Sequence, residues 1–436
     1  MGTNDHKPPT RAFHRASKLV GLATSLTRQE VTRRLTGKKD EAKSALLQIK
    51  QATLLVKELG NLKGAAMKVG QMITLEARDY LPEEVVNILE NLYNQVSFMP
   101  LSTVEQILRE DLGERAERLR SFSPTPIAAA SIGQVHRATL EGRPVAVKVQ
   151  YPGIRDSIDS DIRVLSGILK TLATVLRRDV EIDGLIQEFA EVFKQETDYV
   201  EEAKLSAEYR QRASALRGLV VPEVFPEVSS PRVLTMTFEA GTPWNEWIKS
   251  PLATPGLRLG YAKKILQLYV HEFCDWGLVQ TDPNAGNFLL RPETEEWIAL
   301  DFGATKRYSP EFRVQYSKLA MAIFHRDDRA VIDISVAMGL IDPREGEPAL
   351  EVFRKLLYES MRPFSVPEFD FAHNEVAANA RVLTKQLAKE LRFSPPPKTL
   401  IFLHRKLAGI YFLLRQLEVK LDLMPYLARF EALATQ

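Results

Sequence analysis

What narrows the folds open to this chain is a change of period in its middle. Upstream, apolar residues recur at helical steps: Leu46, Ile49, Val56 and Leu59 in one stretch, then Ala65, Ala66, Val69, Met72 and Ile73 beyond Gly60-Asn61. Leu81-Pro82-Glu83-Glu84 reads as a fresh helix start, and Ser102 with Glu105 has the capping-box spacing of another. Past Pro124 the pattern shortens to alternation. Ala128–Arg137, Ala138–Leu140 and Val145–Val149 are predicted strands with a turn at Glu141-Gly142-Arg143, and Pro144-Val145-Ala146-Val147-Lys148-Val149-Gln150 puts a lysine on the last of them. Helices are expected over Ile158–Leu176 and Gly184–Ala213. A second strand pair is expected at Leu219–Val228 and Arg232–Phe238, where Pro222 and Pro226 confine the first to an edge or break it. Beyond a hinge at Glu239-Ala240-Gly241 the chain is helical again, apart from a loop-and-strand block at Val279–Phe302. The class is α+β, in four parts: a basic arm at 1–45, a helical extension at 46–115, a strand-rich lobe at 116–238 and a helical lobe at 239–436.

With 436 residues, 45% hydrophobic and 26% charged, the chain has room for these lobes and is neither disordered nor collagen-like in composition. Its 58 Lys+Arg against 56 Asp+Glu leave a formal +2, which argues against a nucleic-acid partner. The charge is unevenly spread. The first fifty residues hold Lys7, Arg11, Arg15, Lys18, Arg28, Arg33 and Arg34, with Phe13, Leu19, Leu22 and Leu26 interleaved. A solvated arm, an amphipathic helix on a membrane surface and an organelle-targeting segment all fit that pattern. No apolar run reaches the ~18 residues of a spanning helix, so the expectation is a cytoplasmic protein, or one on the matrix side of an organelle, with peripheral membrane contact at most. Cys274 is the single cysteine, which leaves no intramolecular disulfide and points to a reducing compartment. It is expected in the core, as are Trp244 and Trp247. His404-Arg405-Lys406, in an apolar C-terminal helix, is expected to form a solvated or interlobe stripe outside any site.

The chemistry concentrates in Thr281-Asp282-Pro283-Asn284-Ala285-Gly286-Asn287 and in Asp301-Phe302-Gly303. Asn287 and Asp301 follow Asp282 by five and nineteen residues, close to the spacing of a kinase catalytic loop and its Asp-Phe-Gly triplet. Mg²⁺ is a hard cation that takes oxygen ligands, so Asn287 and Asp301 are the metal-binding candidates, while Asp282 orients or deprotonates an acceptor hydroxyl or water. Lys148, in Val-Ala-Val-Lys, matches the strand lysine that contacts the α- and β-phosphates. Its carboxylate partner is one of Glu196, Asp198, Glu201 and Glu202, among which spacing does not choose. Met236 and Glu239, beside the hinge, are assigned to nucleotide contacts. The expected fold is therefore bilobal and protein-kinase-like, with two departures. Where a protein kinase has three glycines over the phosphates, this chain has Ala128, Ala129, Ala130 and Ser131 with Gly133 alone, and alanine Cβ atoms restrict close backbone approach. After Gly303 a new helix is expected at Ser309-Pro310-Glu311, with no Ala-Pro-Glu beyond it, so a polypeptide substrate has no docking platform.

In combination these residues resemble the UbiB family of atypical, protein-kinase-like proteins, which includes the kinases of coenzyme Q biosynthesis. The resemblance runs from about Leu46 to the end. Lys68-Val69-Gly70-Gln71 is similar to the family's Lys-x-Gly-Gln signature, Ala128–Ser131 to its alanine-rich loop, and Glu196-Thr197-Asp198 to its Glu-x-Asp motif. Asp282, Asn287 and Asp301 match its catalytic-loop and metal residues, and Gln280-Thr281-Asp282-Pro283-Asn284 is closer to the coenzyme Q subgroup than to members with His at the first position. The resemblance implies that Glu202 pairs with Lys148. It also implies that the helical N-terminal extension covers the active site, where Lys68 and Gln71 act as regulatory residues and Lys68 meets Glu196 or Asp198. ATP or ADP and Mg²⁺ are the implied cofactors, and the implied activity is an ATPase or small-molecule phosphotransferase serving an isoprenoid or quinone lipid. Protein phosphorylation is disfavoured. The alanine-rich loop, the covered site and the basic arm also fit a second reading, a nucleotide-gated lipid-binding scaffold or chaperone with incidental catalysis.

Overall fold

The structure is a computed structural model that describes residues 98–130, 132–155, 158, 163, 166, 194–393 and 398–436. Lys68, Gln71, Ser131, the helices expected between Leu46 and Gln95, and nearly all of 158–193 lie outside the described residues. The chain divides into two compact units, 1–141 with 147–198 and 230–233, and 142–146 with 199–229 and 234–436.

In the first unit, helix α1 (Leu101–Leu112) buries Val104, Ile107, Leu108 and Leu112 along one face and exposes Glu105, Gln106, Arg109 and Glu110. It starts two residues earlier than the capping box predicts, with Pro100 in the N-cap position. The Pro100 carbonyl accepts from the Thr103 and Val104 amides at 3.0 and 3.3 Å, so Ser102 lies inside the first turn and caps nothing. At the other end Arg232 donates to Asp111 and Glu110, and Ser230 Oγ donates to Asp111 at 2.7 Å, fastening the helix to the turn at 230–233. Six strands precede the hinge among the described residues: β1 (Leu119–Arg120), β2 (Ala128–Ala130), β3 (Gly133–Leu140), β4 (Arg143–Gln150), β5 (Leu219–Val220) and β6 (Val233–Thr237). All but β5 form one sheet in the order β1-β3-β4-β6, with β2 on β3. Gly133 is required where β3 begins, since a Cβ there would lie 2.3 Å from the Val149 carbonyl oxygen. Under the sheet, His136 Nδ1 faces the Ser123 carbonyl at 2.8 Å and its Nε2 faces the Gln134 amide nitrogen at 2.8 Å. The carbonyl only accepts and the amide nitrogen only donates, so the ring is the neutral Nδ1–H tautomer. Burial pushes its pKa down.

The second unit carries β5 and α2 (Tyr199–Ala213), β7 (Thr242–Pro243), a single turn at Trp244–Trp247, and α3 (Pro255–Val270), which runs into a π-helical segment at His271–Trp276. Then come β8 (Leu278–Gln280), β9 (Phe288–Arg291), β10 (Glu296–Ala299) and β11 (Thr305–Arg307), followed by α4 (Pro310–Phe324), α5 (Asp328–Ala337), α6 (Glu347–Ser360), α7 (Val376–Glu390), α8 (Lys398–Leu417) and α9 (Met424–Ala434). Here β5 departs from expectation. It pairs in parallel with β10, Leu219 beside Trp297 and Val220 beside Ile298, because Pro222 and Pro226 offer no N–H to a longer ladder. The predicted pairing with 232–238 survives as a bridge between Val224 and Met236. Helix α4 starts as expected, with Ser309 accepting from the Phe312 amide and Pro310 at the first position. The core gathers Trp244, Trp247, Tyr261, Phe273, Phe302, Leu403 and Leu414, and both tryptophans are fully buried as expected. Trp244 Nε1 donates to Gln416 at 2.7 Å, which fixes α8 against that core. Among the described residues, no helix is long and apolar enough to cross a membrane.

Candidate active site

In the second unit, a strand pair and a hairpin turn sequence spacing into proximity. Asp282 follows β8 and Asp301 precedes β11, and these strands pair antiparallel, Gln280 opposite Thr305. The Thr281 amide and hydroxyl both donate to the Ala304 carbonyl, at 3.1 and 2.5 Å, which extends the ladder up to the two acids. Asn287 arrives through the β9–β10 hairpin: Phe288 lies opposite Ala299, and the Leu300 amide donates to the Asn287 carbonyl at 3.0 Å. Asn287 Nδ2 donates to Asp282 Oδ2 at 3.0 Å. Only the N–H side of the amide can face a carboxylate, so Asn287 Oδ1 is turned away from Asp282 and is the face a hard cation would use.

Asp301 Oδ1 accepts from the Gly303 amide at 3.0 Å, and Glu202, buried on α2, comes in beside it. A Cβ on Gly303 would sit 3.4 Å from Asp301 Oδ1 and 3.5 Å from Glu202 Oε2, so both carboxylates converge on that glycine. Asp301 and Asn287, whose segments the Leu300 amide ties together at the Asn287 carbonyl, offer a carboxylate and an amide oxygen as candidate donors. The pair suits Mg²⁺, which takes one or two carboxylates and completes its octahedron with phosphate oxygens and water.

Two residues that organise this loop were missed by the sequence reading. Gln280 donates from Nε2 to the carbonyls of Asp282 and Asp301 at 2.8 and 3.3 Å, one amide holding both acidic segments. Its own backbone amide donates at 3.0 Å to Glu272, a fully buried carboxylate in the π-helical segment that also accepts from the Tyr209 hydroxyl at 2.7 Å. The one signal for Glu272 was an acid interrupting an otherwise apolar helix. Arg405 and Lys406 do not form a solvated stripe: Arg405 Nη2 lies 2.7 Å from Asp282 Oδ1, and Lys406 Nζ lies 2.9 Å from Glu272 Oε2 in a pair only 6% and 0% exposed. Their apolar helix packs into the core, so the charges reach across it to buried acids. Cys274 follows the expectation, since burial and then Asp275 push its thiol up to about 12.

Met236 is buried on β6. Glu239 spends its carboxylate on Arg291, at 2.5 Å, and on the Thr237 hydroxyl, at 3.0 Å. In the first unit, Lys148 is buried on β4 between Val147 and Val149. Ala128, Ala129 and Ala130 pair with Val135, Gln134 and Gly133, the first two with exposed side chains. Glu196 is buried and Asp198 half-buried in the turn that leads to α2, and Gln150 Nε2 donates to the Thr197 carbonyl at 3.2 Å, fastening that turn two residues beyond Lys148.

Residues 91–335 match the ABC1 atypical kinase-like domain. Over 409 residues the chain is 30% identical to the Saccharomyces cerevisiae protein named atypical kinase COQ8, mitochondrial, covering 93% of this chain and 81% of that one. It is 32% identical over 415 residues to the Caenorhabditis elegans protein named atypical kinase coq-8, mitochondrial, covering 92% of this chain and 54% of that one. Among solved structures, the complex of Rv3197 with erythromycin from Mycobacterium tuberculosis matches with a TM-score of 0.57 and 26% identity, over 94% of this chain and 98% of that one.

Proposed function

From the premise that this chain belongs to the ABC1 atypical kinase-like family, the UbiB group of atypical kinases, we propose that it binds ATP with Mg²⁺ and either hydrolyses it or passes its γ-phosphoryl group to a small molecule of an isoprenoid–quinone pathway. The observation that carries this reading is the convergence of Asp282, Asn287 and Asp301, with Gln280 bonded to the carbonyls of both acids.

Asp301 and Asn287 would hold the metal. Bound there, Mg²⁺ supplies neutralisation of the charge on the phosphate oxygens. Lys148 and Glu202 take the phosphate-positioning roles that the family resemblance gives them, and Ala128, Ala129 and Ala130 line the covering strand. Asp282 orients the attacking oxygen of water or an acceptor hydroxyl. As its bond to the γ-phosphorus forms, the bond to the β-bridging oxygen breaks, ADP leaves, and the acceptor proton passes to solvent. Two observations support a small acceptor over a protein: residues 304–309 are all that separate Gly303 from α4, and a structural relative is described in complex with erythromycin, an organic small molecule. The basic residues before Lys50 support peripheral contact with an anionic membrane surface, where such a lipid would be met.

The test is turnover of ATP by the purified full chain with and without Mg²⁺, for wild type and Asp301→Asn. Metal stabilisation is worth several kcal/mol, so the variant should lose at least about 100-fold in rate. Equal turnover by the two proteins, or no Mg²⁺-dependent nucleotide binding by wild type, would sink the reading. Quinone-pathway intermediates in a deletion strain, complemented with each protein, would then identify the step served.

A further inference from the structure

We propose that Arg405, on the C-terminal helix α8, is a positioning residue for Asp282, so that this helix sets the direction in which the reactive carboxylate points. The inference rests on the functional reading above, in which Asp282 orients the attacking oxygen, and deepens it.

A carboxylate on a loop can rotate, and each oxygen can accept from more than one donor. In this structure both oxygens of Asp282 are held from opposite sides of the sequence: Oδ2 by Asn287 Nδ2 at 3.0 Å and Oδ1 by Arg405 Nη2 at 2.7 Å. The ion pair has side-chain exposures of only 11% and 10%, so water competes little for it. Two further contacts seat the helix that carries Arg405. One turn on, at the i+4 position of the same face, Gly409 lies against the ring of Pro283, the residue after Asp282. A Cβ at 409 would fall 1.9 Å from Pro283 Cγ, so only glycine allows this approach. The adjacent Lys406 is pinned to Glu272, whose other oxygen accepts from the Gln280 amide. Gln280 in turn holds the carbonyls of Asp282 and Asp301. The helix therefore meets the catalytic loop at its side chain through Arg405, at its ring through Pro283, and from below through Lys406 and Glu272. A pair whose task was only to hold the fold would not need its acid at the one position where the attacking oxygen must be aligned.

The experiment compares wild type, Arg405→Lys and Arg405→Gln as purified full chains, by steady-state ATP turnover with saturating Mg²⁺. Misalignment of a reacting group by about 1 Å costs on the order of 100-fold in rate. Arg405→Gln should therefore lose about that much kcat while its KM for ATP stays within about twofold. Arg405→Lys keeps the charge but lacks the planar fork, and should recover part of the loss. In an Asp282→Asn background, Arg405→Gln should cost little more, since residues acting as a unit are not additive. If wild type shows no Mg²⁺-dependent turnover, the functional reading fails and takes this proposal with it. If wild type is active and Arg405→Gln is unchanged or faster, the proposal alone fails. A variant that loses nucleotide binding and thermal stability in step with kcat, without rescue by lysine, would make Arg405 a structural residue and also overturn it.

Discussion

At the residue scale, the site divides by how far each side chain's partner lies along the chain. Lys148, Asp282, Asn287 and Asp301 stood out as candidates because a strand pattern and short spacings mark them in the linear chain. Arg405 did not, because its meaning depends on a carboxylate 123 residues away. Glu239 shows the converse: its place beside the hinge was evident, while the capture of its carboxylate by Arg291 was not. Cys274 offers a clean test at this scale, as the single cysteine of the chain with a thiol raised to about 12 by burial. The thiolate is the reactive form. The native protein should therefore resist alkylation by iodoacetamide at pH 8 and take up one equivalent once denaturant is added. Fast labelling of the native protein would contradict the burial.

At the element scale, the π-helical segment His271–Trp276 and helix α8 do work that no local pattern announced. The π-helical segment places Glu272 among Tyr209, Gln280 and Lys406, a buried polar network beside the loop that carries Asp282. Removing one partner of a buried ion pair leaves the other charge uncompensated and costs about 3–5 kcal/mol. Lys406→Met should lower the unfolding free energy by that amount in urea titration, with the double variant Lys406→Met, Glu272→Gln, which removes the charge and keeps an acceptor for Tyr209 and Gln280, recovering much of it. An effect under about 1 kcal/mol would show that the pair is solvated and its charges screened. Strand β5 teaches a related lesson. Its residue types fitted a strand, but Pro222 and Pro226 removed donors from the expected ladder, and the two residues before them paired with β10 instead.

At the scale of the whole molecule, the near-neutral balance of +2 conceals local charge pairs that make stability depend on pH. The Arg307 side chain, with Arg212, holds Glu208 at about 2, down from 4.5. Its folded pKa is depressed, so its stabilisation is present above about pH 4.5 and is lost as pH falls toward 2. Burial depresses His136 from 6.5, so the unfolded chain takes up protons first and stability begins to fall below pH 6.5. Urea midpoints should therefore decline in two stages on acidification, the upper stage flattened by His136→Gln and the lower by Arg307→Gln; midpoints constant from pH 7 to 5 in wild type would contradict the His136 assignment. The sequence by itself determined the α+β class and singled out the candidate site residues, because periodicity and short-range spacing survive in the linear chain. Only the tertiary structure decided that a C-terminal helix reaches Asp282, that Gln280 binds both acidic segments, and that Glu272 is ion-paired in the core. The first depends on Arg405 and Asp282, 123 residues apart, meeting within hydrogen-bonding distance, which the packing of Gly409 against the Pro283 ring permits and no local pattern announces.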